Sequence, residues 1–332
     1  MELAEKALSG DRRALARLLT VVENGGPAAR QALRILYPHT GQAHLIGITG
    51  APGTGKSTLV NEIAKVYRAR DKRVAVIAVD PTSPFSGGAI LGDRVRMNDL
   101  AGDPGVFVRS MASRGNLGGL ARTSADMIKV MDAAGFDVVL VETVGAGQSE
   151  VAIASTAHSV VVVEAPGLGD EVQVIKAGIL EIADVFAVNK SDRQGADRAA
   201  AALAMMLDLG QDGPPRYLVH HGALMEIALG SGETASTDGW RPPICLTSAI
   251  RGQGVEELVD ALTGHRAYLE QSGELARRER ARLASELEHL LRDQMMEQLL
   301  HDVDRTQLAT LLEQVVRRGV DPYQAVQQLL GA

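Results

Sequence analysis

The stretch Leu45–Ser57, with the sequence LIGITGAPGTGKS, decides the fold of this chain. It joins a short apolar run to a glycine-rich loop that ends in a lysine and a serine. This pattern is typical of a phosphate-binding loop, in which glycines let successive backbone N–H groups face one anion. A helix that begins near Lys56 adds the positive end of its dipole. The stretch therefore predicts a strand, a phosphate-binding loop and a helix, with Lys56 directed at phosphates and the Ser57 hydroxyl at Mg²⁺.

Further short apolar runs along the chain predict a parallel sheet. They are rich in β-branched residues and do not alternate with polar ones, which indicates strands buried on both faces. Helical stretches separate most of them. The predicted class is therefore α/β, a mostly parallel sheet with helices on both faces as in P-loop NTPases, with helical N- and C-terminal extensions. The predicted strands are 45–49, 73–79, 137–141, 159–163, 184–188 and 244–247, and the predicted helices are 57–70, 117–134, 171–181, 196–209 and 255–262.

Composition excludes several classes of function. The 332 residues include 34 Lys or Arg against 41 Asp or Glu, a net charge of −7, which argues against a general electrostatic grip on nucleic acid or anionic membranes. The single cysteine, Cys245, excludes an internal disulfide framework and fits a reducing compartment. Apolar runs stay short of the about 18–20 residues of a membrane span, and residues 1–17 lack the apolar core of a secretory signal. We expect a cytoplasmic protein without a membrane or nucleic-acid partner.

A second motif, Asn189-Lys190-Ser191-Asp192, follows the predicted strand 184–188 and resembles the guanine-specificity motif of GTPases. The Asp192 carboxylate can accept hydrogen bonds from the N1–H and the exocyclic amine of guanine, a donor pair that adenine lacks. In isolation these four polar residues would describe an ordinary turn, but behind a phosphate-binding loop the nucleotide interpretation is favoured. The segment Thr247-Ser248-Ala249 resembles the backbone that closes over the guanine base.

Three acidic residues form the third group. Asp80 and Glu142 end predicted strands, and Asp93 lies in the loop after the second strand. Because ligands of open parallel sheets bind at the carboxyl ends of the strands, Asp80 and Glu142 are predicted to face the phosphates. Mg²⁺ prefers carboxylate, phosphate and water oxygens. The segment Glu142-Thr143-Val144-Gly145 resembles the acidic switch of GTPases, with the Gly145 N–H near the γ-phosphate; Asp93 alone would read as a solvated loop acid.

Longer segments resemble one family, the MeaB/ArgK-type GTPases. They are VDPTSP (79–84), GGAILGDRVRM (87–97), ETVGAGQSE (142–150), GLGDE (167–171) and HRAYLEQSG (265–273). The match extends from about residue 8 to about residue 300 and is strongest over 46–192. The resemblance implies a P-loop GTPase that hydrolyses GTP to GDP and phosphate and acts as a chaperone for an adenosylcobalamin-dependent acyl-CoA mutase, above all methylmalonyl-CoA mutase. It implies a homodimer that gates cofactor loading and protects the mutase, with residues 167–176 responding to the partner.

The motifs and the resemblance together define the expected site, which binds GTP or GDP and Mg²⁺. The catalytic candidates are Lys56, Asp93 and Glu142, and the metal candidates are Ser57, Asp80, Asp93 and Glu142. The nucleotide-binding candidates are Gly50, Ala51, Pro52, Gly53, Thr54, Gly55, Lys56, Ser57, Thr58, Gly145, Asn189, Lys190, Asp192, Ser248 and Ala249.

The predicted organisation has three parts: a helical extension over residues 1–40, a P-loop GTPase domain over 41–265 and a helical dimerisation region over 266–332. Within the second part, residues 210–243 are rich in Gly, Ser, Thr and Pro and are predicted to form a long loop with an embedded short helix. In the third part, Asp304 and Asp321-Pro322 are predicted to start two further helices after a long one over 274–300.

Other functions remain open at this point. One is a kinase that phosphorylates a transport protein, a label attached to ArgK, which would need an acceptor site that no motif supplies. Another is a metal-delivery GTPase of the nickel-chaperone type, which calls for clustered Cys or His near the switches. A third is a scaffolding subunit whose nucleotide is structural, which a negligible hydrolysis rate insensitive to partners would favour.

Overall fold

The computed structural model describes residues 2–81, 98–100, 102–113, 117–143, 156–167, 182–209, 217–220, 223–226, 239–302 and 305–330. The chain divides into two compact units, residues 1–275 and 276–332. The helices of the first unit are α1 (Glu2–Leu8), α2 (Arg12–Asn24), α3 (Gly26–Leu36), α4 (Lys56–Ala69), α5 (Leu117–Ala133), α6 (Ala196–Leu209) and α7 (Val255–Gln271). Its strands are β1 (His44–Thr49), β2 (Val74–Pro81), β3 (Val106–Ser113), β4 (Val138–Thr143), β5 (Ser159–Glu164), β6 (Val185–Val188), β7 (Tyr217–His220), β8 (Ala223–Glu226) and β9 (Ile244–Leu246).

The main sheet has seven strands in the order β3-β2-β4-β1-β5-β6-β9, and every neighbouring pair is parallel. The prediction of an α/β fold with a parallel sheet is confirmed. β1 lies in the middle, between β4 and β5, so the loop that follows it emerges at the centre of the carboxyl edge. The chain leaves β1 towards one side of the sheet and later returns to place β5 on its other side. Such a reversal of strand order leaves a crevice for a ligand at the carboxyl edge.

Successive residues of each strand point to opposite faces, and helices cover both faces. Val74 and Val76 of β2 share a core with α4 and α7. Ala75 and Ile77 share the opposite core with α5 and with α1–α3, so the N-terminal helices are part of the first unit's own core. On that same face α6 packs through Leu203 over β5 and β6. The sheet thus has its strands buried on both sides, as the uninterrupted apolar runs predict.

Three local predictions differ from the structure. β3 was not predicted, because this edge strand reads VFVRSMAS and has half-buried polar residues such as Arg109 in place of a continuous apolar run. Residues 217–220 and 223–226 form the antiparallel pair β7-β8, so the described part of 210–243 has strands and, within those residues, lacks the predicted short helix. α7 continues to Gln271, beyond the predicted end at Leu262, because His265 and Leu269 extend its buried stripe at helical spacing.

The second unit consists of helices. α8 (Glu274–Asp302) leads into it from the first unit, and α9 (Arg305–Val316) and α10 (Pro322–Leu330) follow. Asp321 caps α10 as predicted: its Oδ1 accepts the backbone N–H groups of Tyr323 at 2.8 Å and Gln324 at 3.1 Å. The predicted cap Asp304 lies outside the described residues, as does the predicted helix 171–181. Across the described ranges, no helix has both the length and the apolar character that crossing a membrane requires.

Candidate functional site

The phosphate-binding loop lies between β1 and α4. Two of its glycines lie so close to neighbouring atoms that a side chain at either position would clash. Gly50 has φ 138°, and a Cβ there would lie 2.1 Å from the Val163 carbonyl oxygen of β5. Gly55 has φ 93°, and its Cβ would lie 2.6 Å from Asn189 Nδ2. The loop therefore packs closely against the neighbouring strand and the loop after β6. The requirement for glycine at both positions follows from sterics as well as from backbone conformation.

Lys56 is buried at the first position of α4 and its side chain turns back over the loop. The Nζ atom donates to the carbonyl oxygens of Gly50 at 2.8 Å and Ala51 at 3.0 Å. Thr54 Oγ1 donates to the Ala51 carbonyl at 2.9 Å and stiffens the same turn. The ammonium group is thus held inside the curl of the loop, where the α4 dipole also favours an anion. Pro52 and Gly53 form the exposed tip, and Thr58 is half-buried in the first turn of α4.

Ser57 and Glu142 bring two oxygen donors together beside this loop. Ser57 Oγ donates to Glu142 Oε1 at 2.6 Å, and both residues are buried. Their meeting follows from sheet register, because Ile48, one residue before the end of β1, pairs with Glu142 of β4. A hydroxyl and a carboxylate oxygen are hard donors, and Mg²⁺ in nucleotide sites is held by one or two such protein groups with phosphate oxygens and waters. These two residues therefore fit a magnesium ion.

The other predicted acids are only partly covered by the structure. The backbone of Asp80 lies near the end of β2, two residues beyond the Ala78 that pairs with Glu142, and so at the same carboxyl edge of the sheet. Its side chain lies outside the described part of the chain. Asp93 and Gly145 lie outside it as well, as do residues 82–97, 144–150 and 168–176. Of the predicted metal set, the structure brings Ser57 and Glu142 together.

The predicted base-binding loop after β6 is joined directly to the phosphate-binding loop. Asn189 Nδ2 donates to the Thr54 carbonyl at 2.8 Å, and Lys190 Nζ donates to the Gly53 carbonyl at 2.6 Å. Asn189 Oδ1 accepts the Ala249 backbone N–H at 3.1 Å, which fixes the loop after β9 to the same amide. One buried side chain therefore connects three loops, and the two sequence motifs form a single site.

Asp192 is presented at the outer end of this site as an ionised acceptor. Ser248 Oγ donates to Asp192 Oδ1 at 2.8 Å, and this hydrogen bond is the main cause that lowers the pKa of the Asp192 carboxyl. The Arg251 guanidinium, 3.8 Å from Oδ2, lowers the pKa further. At neutral pH the carboxylate is therefore a pure acceptor, as recognition of guanine N–H groups requires. Sequence reasoning missed Arg251, whose only signal is a cation two residues after Ala249.

Comparison with known proteins gives consistent matches along almost the whole chain. The family described as Methylmalonyl Co-A mutase-associated GTPase MeaB matches residues 15–304. A Pyrococcus abyssi protein assigned as a GTPase is 46% identical over 329 residues, covering 99% of this chain and 95% of that protein. The GTPase ArgK of Escherichia coli is 34% identical over 337 residues, covering 99% and 95%. The crystal structure of a LAO/AO transport system kinase matches with a TM-score of 0.69 at 26% identity, covering 99% and 96% of the two chains.

Proposed function

The chain is a GTPase that belongs to the MeaB family, and from this premise we propose that it acts as a GTP-driven chaperone for an adenosylcobalamin-dependent acyl-CoA mutase, foremost methylmalonyl-CoA mutase. The observation that supports guanine nucleotide chemistry is the direct bonding of Asn189 and Lys190 to the phosphate-binding loop. The mutase as partner is supported by the description of the matched family. In this role, GTP turnover would gate cofactor loading and protect the mutase.

Hydrolysis at this site would depend on positioning and charge, because phosphoryl transfer leaves little covalent work to the protein. We assign Lys56 and the loop N–H groups to the charge that develops on the phosphate oxygens. Ser57 and Glu142 would hold Mg²⁺, with Asp80 and Asp93 as further candidates. When bound, Mg²⁺ would supply positive charge that stabilises the negative charge of the phosphate groups. Since these groups position the reactants without a strong base among them, we expect slow intrinsic hydrolysis that a partner can accelerate.

The partner would read the nucleotide state through two segments that follow strands of the carboxyl edge. These are residues 81–98 after β2 and 142–150 at the end of β4. In GTPases such segments are ordered by contacts to the γ-phosphate and released on hydrolysis. The Gly145 N–H is our candidate for that contact, and residues 167–176 are our candidate for the segment that answers the mutase.

We further propose that the protein works as a homodimer through its C-terminal helices, within the organisation 1–40, 41–265 and 266–332. In α8, Leu287, Leu291 and Met295 follow one another at intervals of four residues, and 67%, 60% and 60% of their surfaces are exposed. A stripe of large apolar side chains on one helix face is typical of a protein–protein contact. A cytoplasmic location is proposed from composition, since a single cysteine suits a reducing compartment.

The deciding experiment measures GTP hydrolysis by the full chain, alone and with purified methylmalonyl-CoA mutase from the same source. ATP serves as the nucleotide control, and phosphate release is compared with nucleotide consumed. Stimulation that is specific for GTP, with one phosphate released per GTP, supports the proposal. Equal use of ATP contradicts the guanine assignment. Radiolabel retained on a protein acceptor would indicate a kinase instead, and GTP hydrolysis that no acyl-CoA mutase stimulates would reject the chaperone role.

A further inference from the structure

The amino edge of the sheet, opposite the nucleotide site, contains a buried polar cluster that the nucleotide chemistry does not use. Its members come from the starts of β1, β5 and β6 and from α7, and they include the first two residues of the segment HRAYLEQSG. The amino-edge cluster consists of His44, His158, Ser159, Asp184, His265 and Arg266. The first five are buried, Ser159 and His265 completely so, at 0% exposure. Because these imidazoles are shielded from water, their hydrogen-bond partners determine which ring nitrogens carry protons.

Ser159 connects two imidazoles. Its Oγ lies 2.8 Å from His44 Nε2 and 2.8 Å from His265 Nδ1. Because a hydroxyl has one proton, it donates to one of these rings and accepts from the other. His265 Nε2 lies 3.3 Å from Asp184 Oδ1, so a proton on Nε2 faces the carboxylate and Nδ1 is left to accept from Ser159. His44 then donates its Nε2–H to Ser159, and in this arrangement each ring needs only one proton.

The set Ser159, His265 and Asp184 has the composition of a catalytic triad, but its surroundings exclude nucleophilic catalysis. Ser159 and His265 expose no surface, and the hydroxyl lies between two rings. A substrate carbonyl could not approach the Oγ atom. Asp184 is also tied to the sheet, because its Oδ2 accepts the Val160 N–H at 2.9 Å. The chain of hydrogen bonds therefore holds α7 against the amino ends of the strands.

The protonation state of His158 follows from its two hydrogen-bond partners. Its Nδ1 receives the Leu45 backbone N–H at 3.2 Å and the Arg266 guanidinium at 2.7 Å, and both groups can only donate. Nδ1 therefore carries no proton, and His158 is neutral with its proton on Nε2. The ring of His44 stacks on His158. The pKa of His44 is held well below its usual value, first by burial and then by His158, Arg266 and His265.

We propose that the amino-edge cluster is an acid-sensitive latch, which fastens α7 to the starts of β1 and β5 and releases it when His158 takes up a proton at Nδ1. That proton would turn an acceptor into a donor against two existing donors and would place a positive charge beside the Arg266 guanidinium. The other titratable groups of the cluster are His44 from β1, whose ring stacks on His158, and His265 from α7, which lies 3.3 Å from Asp184 before β6. Glu270 already binds Arg266 at 2.6 Å on the same helix.

The sign of the pH effect follows from these protonation states. His44 and His158 are neutral in the folded protein, whereas in the unfolded chain each titrates near its ordinary pKa of about 6.5. Folding stability is therefore fully present above about pH 6.5 and is lost as the pH falls below it, because the unfolded chain then binds more protons. For each such histidine, the folding equilibrium constant falls by up to about tenfold per pH unit. The latch makes one further prediction: on acidification, α7 detaches from the sheet before the sheet itself unfolds.

The test is amide hydrogen exchange of the full chain at pH 7.5 and pH 5.5, corrected for intrinsic exchange. We expect protection over the end of α7, residues 262–271, to fall at least tenfold more than protection over β2. The variant His158→Asn keeps an acceptor oxygen near the Nδ1 position and cannot be protonated, so this extra loss should disappear. His39→Asn, which alters an exposed histidine, should behave like the natural protein. GTP hydrolysis at pH 7.5 should be unchanged, since the cluster lies at the opposite edge.

Two results would overturn the latch. One is parallel loss of protection in α7 and β2, and the other is an unchanged pH response of α7 in His158→Asn. If that variant does not fold, nitrogen-15 NMR of histidine side chains in the natural protein replaces it. Two imidazoles must then stay neutral down to pH 6, and titration of all the observed histidines near pH 6.5 would reject the proposal.

Discussion

Asn189 shows how much one side chain contributes to this site. Its amide uses both ends: Nδ2 binds the phosphate-binding loop at Thr54, and Oδ1 binds the loop after β9 at Ala249. Both bonds are buried, so leaving either partner unsatisfied would cost free energy that a surface pair would not. At the residue scale the site is therefore a set of loops that hold one another in place, with Lys56 at the proposed phosphate end and Asp192 at the proposed base end.

Lys56→Ala should lower GTP turnover by at least about a hundredfold, or abolish tight GTP binding, because it removes the buried ammonium beside the phosphate-binding loop. Phosphate release and GTP binding by calorimetry measure the two effects. Lys65→Ala is the matched control: it lies on the same helix, is partly exposed and pairs with Glu62 and Asp99, so its rate should stay within about twofold. Normal turnover in Lys56→Ala would reject the phosphate-loop assignment.

Asp192→Asn should weaken GTP binding by at least about tenfold and leave ATP binding unchanged. The amide offers an N–H where guanine requires an acceptor, and the same N–H suits the carbonyl of xanthine, so xanthosine triphosphate should bind better than GTP. Competition binding with the three nucleotides provides the measurement. Asp208→Asn, at an exposed aspartate that pairs with Arg241, controls for the loss of charge. An unchanged preference for GTP would refute the role of Asp192.

At the scale of elements, α8 differs from the helices of the first unit. α4 and α7 bury their apolar stripes against the sheet, whereas α8 exposes Leu287, Leu291 and Met295. Exposed apolar surface of this kind is costly in water unless something covers it. A second copy of the chain is the occupant that the proposed homodimer supplies.

Leu291→Glu should therefore shift the protein from dimer to the 35.1 kDa monomer in sedimentation velocity, because a carboxylate in the centre of the stripe cannot be buried without a partner. Asp293→Asn changes the charge by one unit at an exposed position two residues from Leu291, which is a different side of the same helix, and should leave the dimer intact. A natural protein that sediments as a monomer at all concentrations would contradict the proposed homodimer, and an unaffected Leu291→Glu dimer would place the contact elsewhere.

At the scale of the whole molecule, the parallel sheet separates two tasks. The loops of the candidate nucleotide site lie at its carboxyl edge, and the amino-edge cluster, which is hydrogen-bonded to α7, lies at the other. The N-terminal helices complete the first unit by covering one face. Arg12 of α2 attaches them to the start of β3, donating to the carbonyl oxygens of Pro104 at 2.6 Å and Val106 at 2.7 Å and lying 5.5 Å from the centre of the Phe107 ring.

Arg12→Ala should lower the free energy of unfolding by about 1–2 kcal/mol, since hydrogen bonds from a charged donor and a ring contact are lost together. Urea unfolding followed by circular dichroism measures the change. Arg13→Ala removes the neighbouring exposed arginine and should change the stability by less than about 0.5 kcal/mol. Equal stability of the two variants would show that Arg12 does not attach the N-terminal helices.

By itself the sequence determined the fold class, the place of the phosphate-binding loop and the family, because strand–helix alternation and short motifs are local in the chain. Local patterns also predicted the cap at Asp321, whose partners lie two and three residues away. The tertiary structure decided what depends on distant residues. β3 exists because β2 offers it a pairing edge, and the Ser57–Glu142 contact spans 85 residues through sheet register. The amino-edge cluster gathers side chains from the starts of β1 and β5, from the residue before β6 and from α7, and no local sequence pattern shows that these strands begin next to one another beside α7.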